Sequence, residues 1–335
     1  MGMLHLSMLR MTAFFFISGM LFSTRRFDSF KSYFIHKTKV LLIPYILLSL
    51  LFLALDPVLY NFDLFPKAPR MTVMNIRPEI ASVWDYIYWN LAKIFVAGKS
   101  SIGSGPLWFV FTLYSVSLMF YGMQGIAKKK AAIALIAIAS LAGGWMLYKN
   151  HIRLPLGFER DLTVLFFFAC GWLSKEPIKK IGNMSNTFPV VVAAAISFIL
   201  YAALEIPDAN FSIMNNDLGK SLPRFVASSI FGIAGLVAAF QLASKLPSTA
   251  PIRLLKGILR NISRNALVIL AVHWYILLVM RLLFRSTFNQ PGIAYITIAI
   301  VAAGVIAAIP LFRCKLYKLL GKQPASMREA LNIQE

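Results

Sequence analysis

The sequence predicts an all-α fold, namely a polytopic integral membrane helical bundle. The composition and the recurrence of apolar runs both indicate this fold. Of 335 residues, 59% are hydrophobic and 14% charged, and the mean hydropathy is +0.70. Apolar runs recur along the whole chain, several of them close to the roughly 20 residues that span a bilayer as a helix. We interpret nine such segments as about nine transmembrane helices, at residues 3–22, 40–55, 106–124, 131–148, 162–173, 187–204, 223–243, 265–284 and 293–312.

The charges in the connections between these segments give the orientation. One alternate set of connections holds twenty-one basic and four acidic residues, whereas the other holds ten basic and nine acidic residues. Because Lys and Arg are retained in the cytoplasm during insertion, the first set is predicted inside. It comprises residues 23–39, 125–130, 174–186, 244–264 and a basic cytoplasmic tail, 313–335.

Nine crossings with the C-terminus inside would place Met1 outside. Residues 1–22 carry no cleavable-signal pattern that would explain this, so we expect a tenth helix upstream. The formal net charge of +21 is concentrated in the cytoplasmic connections, where it sets orientation and can contact anionic lipid headgroups. It therefore does not indicate a nucleic-acid partner, for which a basic patch on a folded, water-exposed domain is typical.

We treat residues 1–335 as a single transmembrane domain whose polar features lie in a few loops. The longest, the outer loop 56–105, holds an aromatic stretch over 84–97 with apolar spacing typical of an interfacial helix; a sugar-binding platform is the alternative. Gly98–Gly105 holds a G-x-G without a βαβ context and is predicted to be a flexible lead into the next helix. Segments 40–55 and 162–173 are short for a full crossing, which favours a water-accessible cleft beside them.

Few polar residues fall where they could carry chemistry. His273 is central in an apolar run, and a histidine near the bilayer midplane either is functional or is a neutral imidazole bonded to another helix. Arg281 and Arg224 near the outer boundary either snorkel to the interface or face a cavity. Glu159–Asp161 is either a solvated loop or a source of a buried carboxylate that orients a histidine or binds a sugar hydroxyl.

A basic cluster precedes the second apolar segment, and it includes Arg26, Lys37 and Lys39. These cations could hold the phosphates of a cytoplasmic cofactor, because fixed cations pair well with phosphate oxygens. Positive-inside retention alone would produce the same cluster. Both interpretations stay open at this point.

Five motifs occur in an order that resembles the membrane-bound acyltransferase family 3. They are RMTAFFFISGMLF with the following HKTKVLLIPY, GPLWFVFTLYSVSLMFY, FFFACGWLSK and ISRNALVILAVHWYILL. The resemblance covers almost the whole chain from Leu9 and is greatest to the sugar O-acetyltransferase branch that contains fucose 4-O-acetylase-like proteins. It implies an enzyme of about ten helices that moves an acyl group from cytoplasmic acyl-CoA, acetyl-CoA by default, to a hydroxyl of a cell-surface or lipid-linked glycan.

The resemblance also implies site residues. His273 matches a late-helix histidine and is the predicted catalytic residue; Lys37, Lys39 and Arg26 are predicted to contact acyl-CoA. The predicted substrate cavity holds Trp108, Arg281, Arg224 and Asp161. No metal is expected.

The chain departs from the family pattern at one place. The essential Arg and His of the family's first helix have no counterpart here, and His5, just before FFFISG, cannot be equated with that histidine. This agrees with the tenth helix expected from the charges. A membrane transporter or flippase and a catalytically inactive, truncated family member are the alternative functions. Likeness to bacterial relatives places the protein in the bacterial inner membrane.

Overall fold

A computed structural model describes residues 7–61, 73–76, 79–183, 186–204, 212–247, 249–284 and 291–320. Every regular element in these ranges is helical, which confirms the predicted all-α class. Within the residues that the structure describes, six helices are long and apolar enough to cross a membrane, so the chain is a multi-pass membrane protein. Two shorter apolar helices cover Met11–Met20 and Phe188–Leu204.

The described part of the chain holds these α-helices, in chain order: α1 (Ser7–Met20), α2 (Phe30–Lys37), α3 (Ile43–Asn61), α4 (Val83–Phe95), α5 (Trp108–Ile126), α6 (Lys130–Lys149), α7 (Phe158–Gly182), α8 (Phe188–Leu204), α9 (Leu222–Ser244), α10 (Ala250–Arg264), α11 (Ala266–Leu283) and α12 (Pro291–Pro310). A π-helical turn, Thr38–Leu42, joins α2 to α3. Each of the nine predicted segments coincides with a helix. The helix predicted over 84–97 is also present, as α4.

The two segments predicted to be short are not short helices. Segment 40–55 belongs to a helical span that runs over Phe30–Val58. Segment 162–173 is the central part of α7, which has 25 residues. Polar and charged residues continue both helices beyond their apolar cores, so the apolar length underestimated the helix length. The inference of a cleft from short spans is therefore wrong in its premise.

Local sequence signals explain where several helices begin. Ser82 caps α4: its hydroxyl accepts from the backbone N–H of Asp85, whose carboxylate accepts in return from the backbone N–H of Ser82 at 2.9 Å. Ser221 caps α9 more simply, since its hydroxyl accepts from the backbone N–H of Arg224, and Pro223 lies in the first turn. Glu159 and Asp161 place negative charge at the start of α7, where the helix dipole favours it.

The described residues form two compact units. The first holds α1, most of α5, and α6 to α9; the second holds α2 to α4, the start of α5, and α10 to α12. In the first unit, α1 packs on α7 and α9, α6 on α7, and α8 on α9. The aromatic rings of Phe22, Phe120 and Phe168 pack edge to face or tilted in its interior, with centroids 5.0 to 5.6 Å apart.

In the second unit, α3 packs on α4, and α11 packs on α12, on α3 and on the short turn before α5. Its core is aromatic as well: Tyr45 and Tyr86 are almost completely buried. The ring of Tyr45 packs against that of Phe111, with centroids 5.2 Å apart. This unit holds the predicted catalytic histidine.

The crossing of α1 and α7 depends on two glycines that face opposite backbones. A Cβ atom on Gly19 would overlap the carbonyl of Phe168, and one on Gly171 would overlap the carbonyl of Phe16. Small residues at such crossings let membrane helices approach closely. The helix axes could not lie this near each other with any larger residue at these two positions.

Replacing Gly171 with alanine is expected to lower the free energy of unfolding by about 1–3 kcal/mol, because the new methyl group must push α1 away. Gly122→Ala is the matched control, since a Cβ atom there meets nothing within 4 Å. It should be neutral or stabilising by up to about 1 kcal/mol, as alanine favours helix. Chemical unfolding in detergent measures the stability of the two variants, and equal unfolding midpoints would contradict the close crossing of α1 and α7.

Candidate functional site

His273 lies near the middle of α11, a span of 18 residues with mean hydropathy 2.2. The ring is half-buried, and its Nδ1 lies 2.7 Å from the carbonyl oxygen of Ile269, one turn earlier. A carbonyl can only accept, so Nδ1 carries the proton and donates it. Nε2 therefore holds the lone pair of the neutral ring, and no hydrogen-bond partner is found for it within the described ranges. Such a nitrogen can accept a proton.

The two residues after His273 anchor this turn of α11 to the rest of the second unit. The indole Nε1 of Trp274 donates to the carbonyl of Ile102 at 2.8 Å. The hydroxyl of Tyr275 donates to the carbonyl of Leu55 at 3.2 Å, and its ring packs against Phe52. The backbone around His273 is thus fixed from two sides, which a positioned acid or base requires.

Residues 98–105, predicted to be a flexible lead into α5, are instead mostly buried and hydrogen-bonded. Lys99 is 8% exposed, and Ser101 and Ser104 share a hydrogen bond of 2.9 Å between their hydroxyls. The hydroxyl of Tyr45, on α3, donates to the carbonyl of Lys99 at 2.7 Å. Gly105, with φ near +46°, lies so close to the Trp274 ring that a Cβ atom would overlap it. The glycines and serines of this segment serve close packing, and the prediction of flexibility is wrong.

Asp56 lies fully buried at the end of α3, beside this segment. Its Oδ2 accepts from the hydroxyl of Tyr86 at 2.9 Å and from the backbone N–H of Gly103 at 3.4 Å. Burial raises the pKa of Tyr86, and the negative charge of Asp56 raises it further. The Tyr86 hydroxyl therefore stays protonated and donates its hydrogen bond. Sequence reasoning missed this carboxylate, although a lone acid directly after an apolar run was a usable signal.

Lys93 lies close enough to interact electrostatically with Asp56, and Lys99 lies close enough to interact with Lys93. Burial of the ammonium group, and after it the positive charge of Lys99, lower the pKa of Lys93 to about 8, while Asp56 acts in the opposite direction. Asp56, Tyr86, Lys99 and the half-buried Lys93 thus form a polar cluster, which we call the Asp56 cluster. It can orient hydroxyl groups and stabilise charge of either sign.

Replacing Tyr86 with phenylalanine should lower the free energy of unfolding by about 1–3 kcal/mol, because the buried carboxylate of Asp56 loses a donor. Tyr88→Phe is the control on the same helix, since Tyr88 is 65% exposed. It should change stability by less than about 0.5 kcal/mol. Thermal unfolding of the two variants makes the comparison, and equal losses would argue against a bonded Asp56 cluster.

The predicted acyl-CoA residues occupy accessible positions. Lys37 is half-buried, with its Nζ 5.4 Å from the centroid of the Tyr33 ring, and Lys39 is exposed on the π-helical turn. Both belong to the second unit. Arg26 is exposed in the connection between α1 and α2, in the first unit. Their contact with a donor stays a prediction.

The residues predicted to line a substrate cavity divide between the units. Trp108 is buried at the start of α5 and Arg281 is exposed near the end of α11, both in the second unit. Arg224 and Asp161 are in the first, where the Nε of Arg224 donates to the carbonyl of Leu204 at 2.8 Å. The cavity role stays a prediction for all four.

The Glu159–Asp161 cluster is not a solvated loop. The three residues form the first turn of α7 and are at most 3% exposed. The Nε of Arg160 lies 3.4 Å from Oδ1 of Asp161, and Arg153 pairs with Glu159 at 3.9 Å. The carboxylates are therefore buried, and their contact with a histidine or a sugar hydroxyl stays a prediction. Asn216, bonded to Thr163 at 2.8 Å and to the carbonyl of Gly144 at 2.9 Å, extends this polar packing.

His5, which the sequence analysis set apart from the family's first-helix histidine, lies outside the described residues. Among the residues that are described, no three His, Cys, Asp or Glu side chains come together as potential metal ligands.

Comparison with known proteins gives one match. Residues 3–312 match the model of a family described as an acyltransferase domain. No curated protein and no solved structure matches the chain. The matched region extends through α12 and includes both His273 and the Asp56 cluster.

Proposed function

The chain belongs to acyltransferase family 3, and from this membership we propose that it moves an acyl group from cytoplasmic acyl-CoA to a hydroxyl of a cell-surface or lipid-linked glycan. Acetyl is the proposed acyl group, and the proposed location is a bacterial inner membrane with the C-terminus cytoplasmic. The family membership supports the transfer of an acyl group between two substrates. The identity of donor and acceptor is our proposal.

One observation carries the catalytic part of this proposal: the hydrogen bond of 2.7 Å between Nδ1 of His273 and the carbonyl of Ile269. This bond fixes the tautomer in which Nε2 has the lone pair. It also orients the ring, as the second hydrogen bond of a catalytic histidine commonly does. A base near neutral pH is what a sugar hydroxyl requires before it can attack a thioester.

The proposed reaction proceeds in two steps. Nε2 of His273 takes the proton of the acceptor hydroxyl as its oxygen attacks the thioester carbonyl carbon and forms a tetrahedral oxyanion. The oxyanion then collapses, the bond from carbon to sulfur breaks, and the CoA thiolate takes the proton from the imidazolium. The products are an O-acyl ester on the glycan and free CoA thiol, and neutral His273 is restored.

Charge and position support the proposed binding residues. Lys37 and Lys39 lie two residues apart on one helical segment in the second unit, and their cations could pair with the phosphates of CoA. Arg26 is proposed for the same donor. Trp108 and Arg281 are proposed for the acceptor because an aromatic face and a guanidinium suit sugar rings and their hydroxyls. Arg224 and Asp161 complete the proposed set.

The experiment that tests the proposal supplies radiolabelled acetyl-CoA to the cytoplasmic side of membrane vesicles that contain the protein. Label should enter a glycan as an alkali-labile ester, and one equivalent of free CoA thiol should appear for each ester formed. Vesicles without the protein are the control, and succinyl-CoA in place of acetyl-CoA tests the acyl group. Movement of a glycan across the membrane without thiol release would instead identify a transporter or flippase.

A further inference from the structure

The connection predicted over residues 244–264 contains a helix, α10, that no apolar span predicts. Its sequence, APIRLLKGILRNISR, has four basic and no acidic residues. Leu254, Leu255, Ile258, Leu259 and Ile262 are between 48% and 67% exposed. A helix that exposes five large aliphatic side chains to water would be unfavourable, because this apolar area gains free energy when it leaves water.

The residues of α10 separate sharply around its axis. At 100° per residue, the large aliphatic side chains fill a sector of about 160°, and the four basic residues fill a sector of about 80° on the other side. The basic residues are Arg253, Lys256, Arg260 and Arg264. A helix with an aliphatic face, a basic face and low overall hydrophobicity is typical of helices that lie in the plane of a membrane surface.

The position of α10 directly before α11 determines how deep α10 lies in the membrane. It ends at Arg264, and the membrane span α11 begins at Ala266, so a single residue, Asn265, separates them. Asn265 is 2% exposed, and its side-chain amide donates to the carbonyl of Asn261 at 3.0 Å and to its side-chain oxygen at 2.7 Å. The junction is therefore ordered, and α10 ends where α11 enters the hydrocarbon.

We propose that α10 is an in-plane anchor that binds anionic lipid headgroups. Its aliphatic face lies among the acyl chains just below the headgroups, and its basic face contacts lipid phosphates. A second protein could cover an aliphatic face, but an acid-free row of cations favours an anionic lipid surface. The charge pattern also predicts residues 244–264 on the cytoplasmic side, where anionic lipids concentrate. The proposal is independent of acyl transfer.

The first test measures the depth of the two faces. In a Cys170→Ala and Cys314→Ala background, single cysteines at Leu255 or Arg260 carry an environment-sensitive fluorophore in the reconstituted full chain. In vesicles of phosphatidylglycerol and phosphatidylcholine, the label at Leu255 should be quenched by spin-labelled lipids, and the label at Arg260 by aqueous iodide. Shielding of Leu255 from both quenchers would indicate a protein interface and overturn the proposal, as would equal quenching of both sites by iodide.

The second test measures the preference for anionic lipid with a matched charge control. Arg253→Gln, Lys256→Gln and Arg260→Gln together should abolish most of the enrichment of phosphatidylglycerol around a label on α10, because each removed cation weakens the attraction to anionic headgroups. The control removes three charges from the connection before α6, by Lys128→Gln, Lys129→Gln and Lys130→Gln, and should leave that enrichment unchanged. Equal enrichment in the two variants would contradict the proposal. Unfolding midpoints of both variants verify that each is folded.

Discussion

Replacing His273 with alanine is expected to lower the rate of acyl transfer about 10²- to 10⁴-fold, the usual contribution of a positioned general base. The loss should appear in kcat and not in KM, because Nε2 accepts the proton in the transition state and binds neither substrate in the ground state. His273→Gln should be as inactive as alanine, since an amide nitrogen is not a base. The measurement is the rate of CoA thiol release in the vesicle assay.

Stability separates this effect from a general loss of folding. Among the described residues, the side chain of His273 makes one hydrogen bond, to its own helix, so the free energy of unfolding of the alanine variant should lie within about 1–2 kcal/mol of that of the parent. His151→Ala is the control, because His151 is exposed in the connection between α6 and α7 and should keep full activity. A folded His273→Ala variant that transfers acyl groups at the parent rate would remove this residue from the proposed mechanism.

Replacing Asp161 with alanine is expected to lower the free energy of unfolding by about 3–5 kcal/mol, because it leaves the guanidinium of Arg160 buried without its carboxylate. Arg160 and Asp161 are both fully buried, so neither charge can be compensated by water. Chemical unfolding in detergent measures the loss. Glu176→Ala is the control on the same helix, since Glu176 is exposed, and it should change stability by less than about 0.5 kcal/mol.

A double substitution tests the reason for that loss. Arg160→Met with Asp161→Leu removes both charges and keeps apolar volume, and such replacements of a buried pair are often neutral or stabilising. The double variant should therefore recover most of the stability that Asp161→Ala loses. If it is no more stable than the single variant, the pairing of the two charges is not what Asp161 contributes.

The sequence predicted the membrane helices well because their apolar length is a direct physical requirement of the bilayer. The ends of helices were less predictable. Helix α7 continues past its apolar core through Pro177 to Gly182, because polar residues can extend a helix beyond the hydrocarbon. Helix α10 was missed because its aliphatic residues are spread around one face and never form a continuous run.

Burial of polar groups was the hardest feature to predict. Gly, Ser and Lys in residues 98–105 have the composition of an exposed loop, and only partners distant in sequence, Tyr45 and Trp274, show why the segment is buried. Asp56 was overlooked for the same reason, since Tyr86 follows it by thirty residues. His273 could be singled out because a lone histidine in an apolar span is informative without knowledge of its neighbours.

The carbonyls of Lys99 and Ile102 are held by side chains from two helices that are far apart in sequence, Tyr45 of α3 and Trp274 of α11. The segment therefore links these two helices, and it can leave its place only when both hydrogen bonds break. A motion that shifts α3 relative to α11 must break at least one of the two. The turn that carries His273 is consequently coupled to the start of α3 through residues 99–102, which form no regular helix or strand.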